Sequence, residues 1–189
     1  MISNIKAFLL AGFQNSLEGH WQTIWEQNYN FERIQQADWD NPVCDDWVEQ
    51  LQKGIISYVN NTIINQQSQK PIVLIGHSLG CLTIVEWAKK YSNIPIAGAL
   101  LVAVPQPSST AFPQQAQGFS NISMQKLPFK STVVASTNDK YAQIEFAESC
   151  ANAWGSEFIN IGNFGHINAD SGLGLWNNGI EYINNILYK

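Results

Sequence analysis

Residues 71–90 limit the fold more than any other stretch of this 189-residue chain. Ile72-Val73-Leu74-Ile75 is a continuous aliphatic run without the polar alternation of a half-exposed strand. Such runs mark strands of a parallel sheet covered on both faces. The run passes directly into Gly76-His77-Ser78-Leu79-Gly80. Behind that turn Leu82, Val85, Ala88 and Tyr91 follow the three-residue spacing of an amphipathic helix. A strand that enters a helix through a glycine-bounded turn is the first half of a β-α-β unit, and that unit commits the chain to parallel pairing.

The alternation recurs along the chain. Ile5–Leu10, Phe31–Gln35, Pro71–Ile75, Ile96–Val104, Ser131–Ser136 and Glu157–Ile161 read as strands. Trp47, Val48, Leu51, Ile55, Tyr58, Val59 and Ile63 form one helical face, and Trp176, Ile180, Ile183 and Leu187 another. Strands alternating with helices predict a three-layer α/β/α fold, with a mostly parallel sheet of about six strands flanked by helices. With 45% hydrophobic and 13% charged residues, residues 1–189 are expected to form a single well-buried domain. The one long irregular stretch is 105–130, rich in Pro, Ser and Gln. Loops of that length usually serve function, so a small lid over the site is expected there.

The formal net charge is −5 and no run of Lys or Arg occurs, which speaks against nucleic acid and anionic membrane as partners. No stretch is long enough to span a bilayer. Lys6 followed by Ala7-Phe8-Leu9-Leu10-Ala11 resembles a very short signal peptide, but Gln14, Asn15 and Glu18 stand where a small-residue cleavage site belongs. A buried first strand and a cytoplasmic location are expected. Cys44, Cys81 and Cys150 are dispersed, with no C-x-x-C pair, which fits reduced buried thiols better than a disulfide framework or a zinc site.

Gly76-His77-Ser78-Leu79-Gly80 matches G-x-S-x-G, the nucleophile elbow. The pattern alone is weak, because three residues each at ~7% abundance would produce it in roughly 6% of random chains this long. Its position between strand and helix is what gives it weight. There the serine backbone is strained, glycines at both ends remove clashes, and the helix N-terminus directs amides and a positive dipole end at the serine.

A serine nucleophile needs a base, and the base needs an orienting carboxylate. On this fold the chain order is Ser, then Asp or Glu, then His. Of the histidines, His20 precedes the elbow and His77 lies inside it, directed away from the serine side by adjacency; His166 is left. Of the two aspartates after Ser78, Asp170 follows His166, so Asp139 is left. Glu145 and Glu148 are alternatives, placed on a helical segment beyond the loop. Asp139 and His166 each follow a predicted strand, at the end where open α/β sheets build their sites. The backbone N–H groups of Leu79 and of Phe13, in the loop after the first strand, are the expected oxyanion donors. The chemistry needs no metal or organic cofactor.

The chain resembles the retinoblastoma-binding-protein-9/YdeN-type serine hydrolases over nearly its whole length. The resemblance rests on Gly12-Phe13-Gln14-Asn15-Ser16 with His20-Trp21 and Trp25, and on Asp38-Trp39 with Pro42 and Trp47. It continues through the elbow and Ser136-Thr137-Asn138-Asp139 to Gly165-His166-Ile167-Asn168, Ser171-Gly172-Leu173-Gly174 and Trp176. It implies a minimal hydrolase fold lacking the usual two leading strands, and a triad on Ser78, Asp139 and His166. Ala11 and Lys140 depart from the family pattern, Lys140 standing where Pro often follows the Asp. The family is also named for binding retinoblastoma protein through L-x-C-x-E, but Leu79-Gly80-Cys81-Leu82-Thr83 ends in Thr.

The expected function is hydrolysis of a small ester or related acyl substrate through an acyl-enzyme on Ser78. The alternative is a binding protein on a hydrolase fold. Asn15, His20, Trp21, Trp39 and His77 are candidates for the substrate pocket, with core packing the competing role for the tryptophans.

Overall fold

The computed structural model describes residues 2–91 and 93–188. Six strands make one sheet: β1 (Lys6–Leu10), β2 (Glu32–Arg33), β3 (Ile72–His77), β4 (Gly98–Val102), β5 (Ser131–Ala135) and β6 (Glu157–Asn160). Their order is β2-β1-β3-β4-β5-β6, and every pairing is parallel. Five α-helices accompany them, four between strands and the last after β6: α1 (Trp21–Tyr29), α2 (Cys44–Ile64), α3 (Leu79–Lys90), α4 (Ile144–Trp154) and α5 (Asn177–Tyr188). The expected three-layer α/β/α fold is what the chain adopts.

The period-two alternation of the strands divides the core into two halves. Phe8, Leu10, Ile72, Leu74, Leu101 and Val133 face α2, α3 and α4. Ala7, Leu9, Val73, Ile75, Leu100 and Val134 face the opposite way, toward α1 and α5. Because both faces are covered, β3 and β4 are buried at every position, which is why their sequences read as unbroken apolar runs.

Strand boundaries differ from expectation by one or two residues, the fourth strand shrinking from Ile96–Val104 to Gly98–Val102. The second strand shrinks from Phe31–Gln35 to two residues, because it is an edge strand with one partner, β1. The third extends past Ile75 to His77, whose partner across the ladder is Val102.

From β1 the chain first moves outward to β2, then returns past β1 to β3. The loops leaving β1 and β3 therefore separate onto opposite faces, and α/β sheets open a crevice at such a reversal. Residues 105–130 are partly tied down. Gln117 N–H donates to Pro42 O and Gln117 O accepts from Cys44 N–H, both at 2.9 Å. Phe119 is fully buried against Trp47, and Trp154 Nε1 donates to Ser123 O at 2.8 Å. Among the described residues no helix is long and apolar enough to cross a membrane.

Candidate active site

Ser78 sits between β3 and α3 with φ 54° and ψ −125°, a conformation that a non-glycine residue adopts only when its surroundings impose it. The imposing contacts are close. A Cβ on Gly80 would lie 2.1 Å from Leu10 O, and one on Gly76 would lie 2.8 Å from Cys81 N, so α3 can start this near β1 only through glycine. Ser78 N–H is anchored to Val102 O at 3.0 Å. From the other side the loop after β1 presses in: a Cβ on Gly12 would lie 2.6 Å from Ser78 Cβ.

Across the sheet's end, His166 Nδ1 donates to the Asp139 carboxylate, at 2.8 Å to Oδ2 and 3.0 Å to Oδ1. Both side chains are buried. Asp139 Oδ1 also accepts from Tyr141 N–H at 2.8 Å, and the Tyr141 ring lies 4.2 Å from the His166 ring. The loops after β5 and β6 are stitched together: Asn138 Oδ1 accepts from Gly165 N–H at 2.7 Å, and Ser136 Oγ accepts from Phe164 N–H at 2.9 Å. With its Nδ1 proton committed to Asp139, a neutral His166 presents Nε2 as a bare lone pair. Glu145 and Glu148, the alternative carboxylates, lie exposed on α4.

Ser78 and His166 line one cleft of about 320 Å³. Among the described residues the Ser78 hydroxyl has no hydrogen-bond partner, and neither do the backbone N–H groups of Phe13 and Leu79. Phe13 lines the cleft, and Leu79 opens α3 directly after Ser78. Asn15 and His20, expected in the pocket, also line it. So do Gln14, Leu17, Pro113, Tyr141, Asn168 and Asp170, which sequence reasoning did not single out as pocket residues. Pro113 is the contribution of residues 105–130.

Of the five pocket candidates His77 also lines the cleft, although as Ser78's neighbour it leaves the strand on the other side; its ring lies 4.9 Å from the His166 ring and 4.6 Å from that of His20. Strand alternation still holds, since His77 continues the face of Val73 and Ile75; the cleft simply spreads over that face's end. Trp21 and Trp39 lie behind the cleft rather than in its wall. Trp21 is 1% exposed, packs on Trp25 and Trp176, and donates from Nε1 to Ile167 O at 2.8 Å. Trp39 packs on Trp47 while its carbonyl accepts from Gln14 N–H at 3.0 Å.

Arg33 of β2 was missed. Buried beside the cleft loop, it donates from Nη1 to Asn15 Oδ1 (2.9 Å) and Ser16 O (3.2 Å), and from Nη2 to Thr23 Oγ1 (3.0 Å). Its Nε donates to Glu26 Oε2 at 3.0 Å. The available signal was that Arg33 is the chain's one arginine and falls within a predicted strand.

His20 caps α1, its Nδ1 accepting from Gln22 N–H at 3.1 Å. Burial, then the Arg33 charge, then His166 push its pKa down to about 3. Burial, with His20 and His166 close by, also holds His77 well below the usual histidine range. All three cysteines are buried, and burial raises their thiol pKa values, to about 12 for Cys44 and Cys150. Among the described residues no group of three or more His, Cys, Asp or Glu is placed to hold a metal ion.

A family model described as serine hydrolase matches residues 7–185. The chain belongs to the serine hydrolase family. Among solved structures, this hydrolase is similar to a YdeN-like hydrolase from Pectobacterium atrosepticum, with 28% identity and a TM-score of 0.80 over 98% of this chain and 92% of that one. The ydeN gene product of B. subtilis shares the fold at 16% identity, with a TM-score of 0.76 over 98% of this chain and all of that one. A thermophilic esterase from Thermogutta terrifontis shares it at 15% identity, with a TM-score of 0.69 over 97% and 90% of the two chains. A search of curated protein sequences gives no match. The hydrolase is of YdeN type, as the residue resemblance implied.

Proposed function

We propose that this hydrolase cleaves a small carboxylic ester or related acyl substrate through an acyl-enzyme on Ser78. The observation that carries the reading is the His166–Asp139 hydrogen bond, which leaves Nε2 as the base in the cleft that holds Ser78.

Substrate binding places the carbonyl carbon against Ser78 Oγ. As Oγ attacks, its proton passes to His166 Nε2, which requires these atoms to close to about 2.6–3.2 Å in the substrate complex. Asp139 fixes the tautomer and stabilises the imidazolium. Charge develops on the carbonyl oxygen, and the unpaired N–H groups of Phe13 and Leu79 receive it, reinforced by the positive end of α3. His166 then returns the proton to the leaving alcohol. Water, deprotonated by the same Nε2, attacks the acyl-Ser78 carbonyl, and collapse releases the acid as His166 hands the proton back to Ser78 Oγ. The esterase among the structural neighbours is in keeping with the ester reading.

A fluorophosphonate probe is expected to label Ser78 of the folded protein, and p-nitrophenyl acetate turnover is expected to vanish in Ser78→Ala. Turnover surviving unchanged in Ser78→Ala, or no labelling of folded wild type, refutes the reading.

A further inference from the structure

His166 lies in an irregular loop that no sheet ladder holds. Gly165 has φ 58° and Ile167 φ 49°. Positive φ is an outlier for a β-branched residue, so this turn does not form on local preference alone. The carbonyls of two consecutive residues in it are each taken by a buried ring N–H. His77 Nε2 donates to His166 O at 2.9 Å, and Trp21 Nε1 donates to Ile167 O at 2.8 Å. A carbonyl only accepts, so His77 must carry its proton on Nε2. The two rings are 5% and 1% exposed.

The donors come from different elements. His77 is the last residue of β3, one peptide from Ser78, and Trp21 is the first residue of α1. We propose that His77 and Trp21 are positioning residues which clamp the His166 loop, so that β3 sets the nucleophile and the backbone of the base from adjacent positions. This rests on the reading of Ser78 and His166 given above. It moves both residues from substrate contact to a role exerted through His166.

The test compares His77→Leu, which removes the donor, with His77→Gln, whose amide N–H falls near the lost Nε2, and with Trp21→Phe. Steady-state hydrolysis of p-nitrophenyl acetate is read beside the downfield proton resonance of the His166 Nδ1–H···Asp139 bond. His77→Leu is expected to lose about 100-fold in kcat, the scale of a 1 Å misplacement, with KM within about twofold. The downfield resonance should broaden or vanish in His77→Leu. His77→Gln should recover at least about tenfold of the lost kcat and regain the resonance. Trp21→Phe should lose kcat in the same way, which keeps the test open if His77→Leu does not fold. If His77→Leu or Trp21→Phe keeps wild-type kcat while Ser78→Ala is dead, the clamp is overturned and the nucleophile reading stands. If Ser78→Ala is as active as wild type, both fall together.

Discussion

Acid should destabilise this protein through His20 before its carboxylates titrate. The side chain is 4% exposed, its Nδ1 caps α1, and among the described residues its Nε2 has no partner. Its folded pKa is about 3, against an ordinary value of 6.5. The folded value is the lower one, so the unfolded chain binds the proton first. Stability is therefore full above the unfolded pKa and falls as pH drops from 6.5 toward 3. Each pH unit in that window costs about 1.4 kcal/mol per histidine, so at about pH 5 His20 alone removes roughly 2 kcal/mol. His77 acts in the same direction. Against a typical stability of about 5–15 kcal/mol this is a large fraction, worth roughly 4–8 °C in Tm for a chain of this size. Urea unfolding between about pH 7 and pH 5 reads it, above the range where ordinary carboxylates protonate. His20→Asn is the control, since Asn serves equally well as an N-cap. Its stability should fall less over the same interval, by about 2 kcal/mol. Equal slopes in the two proteins would refute the assignment of acid sensitivity to His20.

Gly12→Ala drives a methyl group to within 2.6 Å of Ser78 Cβ, and kcat is expected to fall about 100-fold with the fold retained by circular dichroism. Asp139→Asn leaves a group that fits the space but favours the wrong His166 tautomer; kcat on p-nitrophenyl acetate should drop by roughly 10³–10⁴. Arg33→Met removes four hydrogen bonds behind Asn15 while Glu26 stays half-solvated, so a loss of about 1–3 kcal/mol in urea unfolding is expected, along with a raised KM as the Asn15 loop loosens. Shortening 107–112, next to the cleft residue Pro113, should raise the rate on bulky esters relative to acetate; an unchanged ratio would remove the lid from consideration.

The central strands were legible because burial on both faces writes itself as unbroken apolar sequence, and β3 and β4 are such cases. The edges were not. β2 keeps two residues because its length depends on how far β1 offers a partner, a property of pairing rather than of Phe31–Gln35 itself. Chain order led to Ser78, Asp139 and His166, and the structure brings these three to one edge. The pocket wall was hidden for a different reason. Tyr141 and Asn168 reach the cleft from the loops after β5 and β6, far from the elbow in sequence. The tryptophans misled because an aromatic near the edge can line a pocket or support it from behind. What decides is where the ring N–H finds its acceptor: Trp21 finds Ile167 O and Trp25 finds Leu175 O, both inside the protein.

Those acceptors show how a short chain holds a base on a loop. Three ring N–H donors, from His77, Trp21 and Trp25, pin carbonyls between residues 166 and 175, where no strand could do so. Two of the three come from α1, whose own N-terminus is capped by His20. The loop between β1 and α1 carries Asn15, which Arg33 holds from β2. The elbow at Ser78 thus meets a wall built by α1 on one side and α3 on the other, which is what the reversal between β1 and β3 provides. Substitutions in α1 should therefore act on His166 through the loop it carries, and substitutions in α3 on Ser78 directly. The two groups of variants should separate by whether fluorophosphonate labelling recovers when the His166 loop alone is restored.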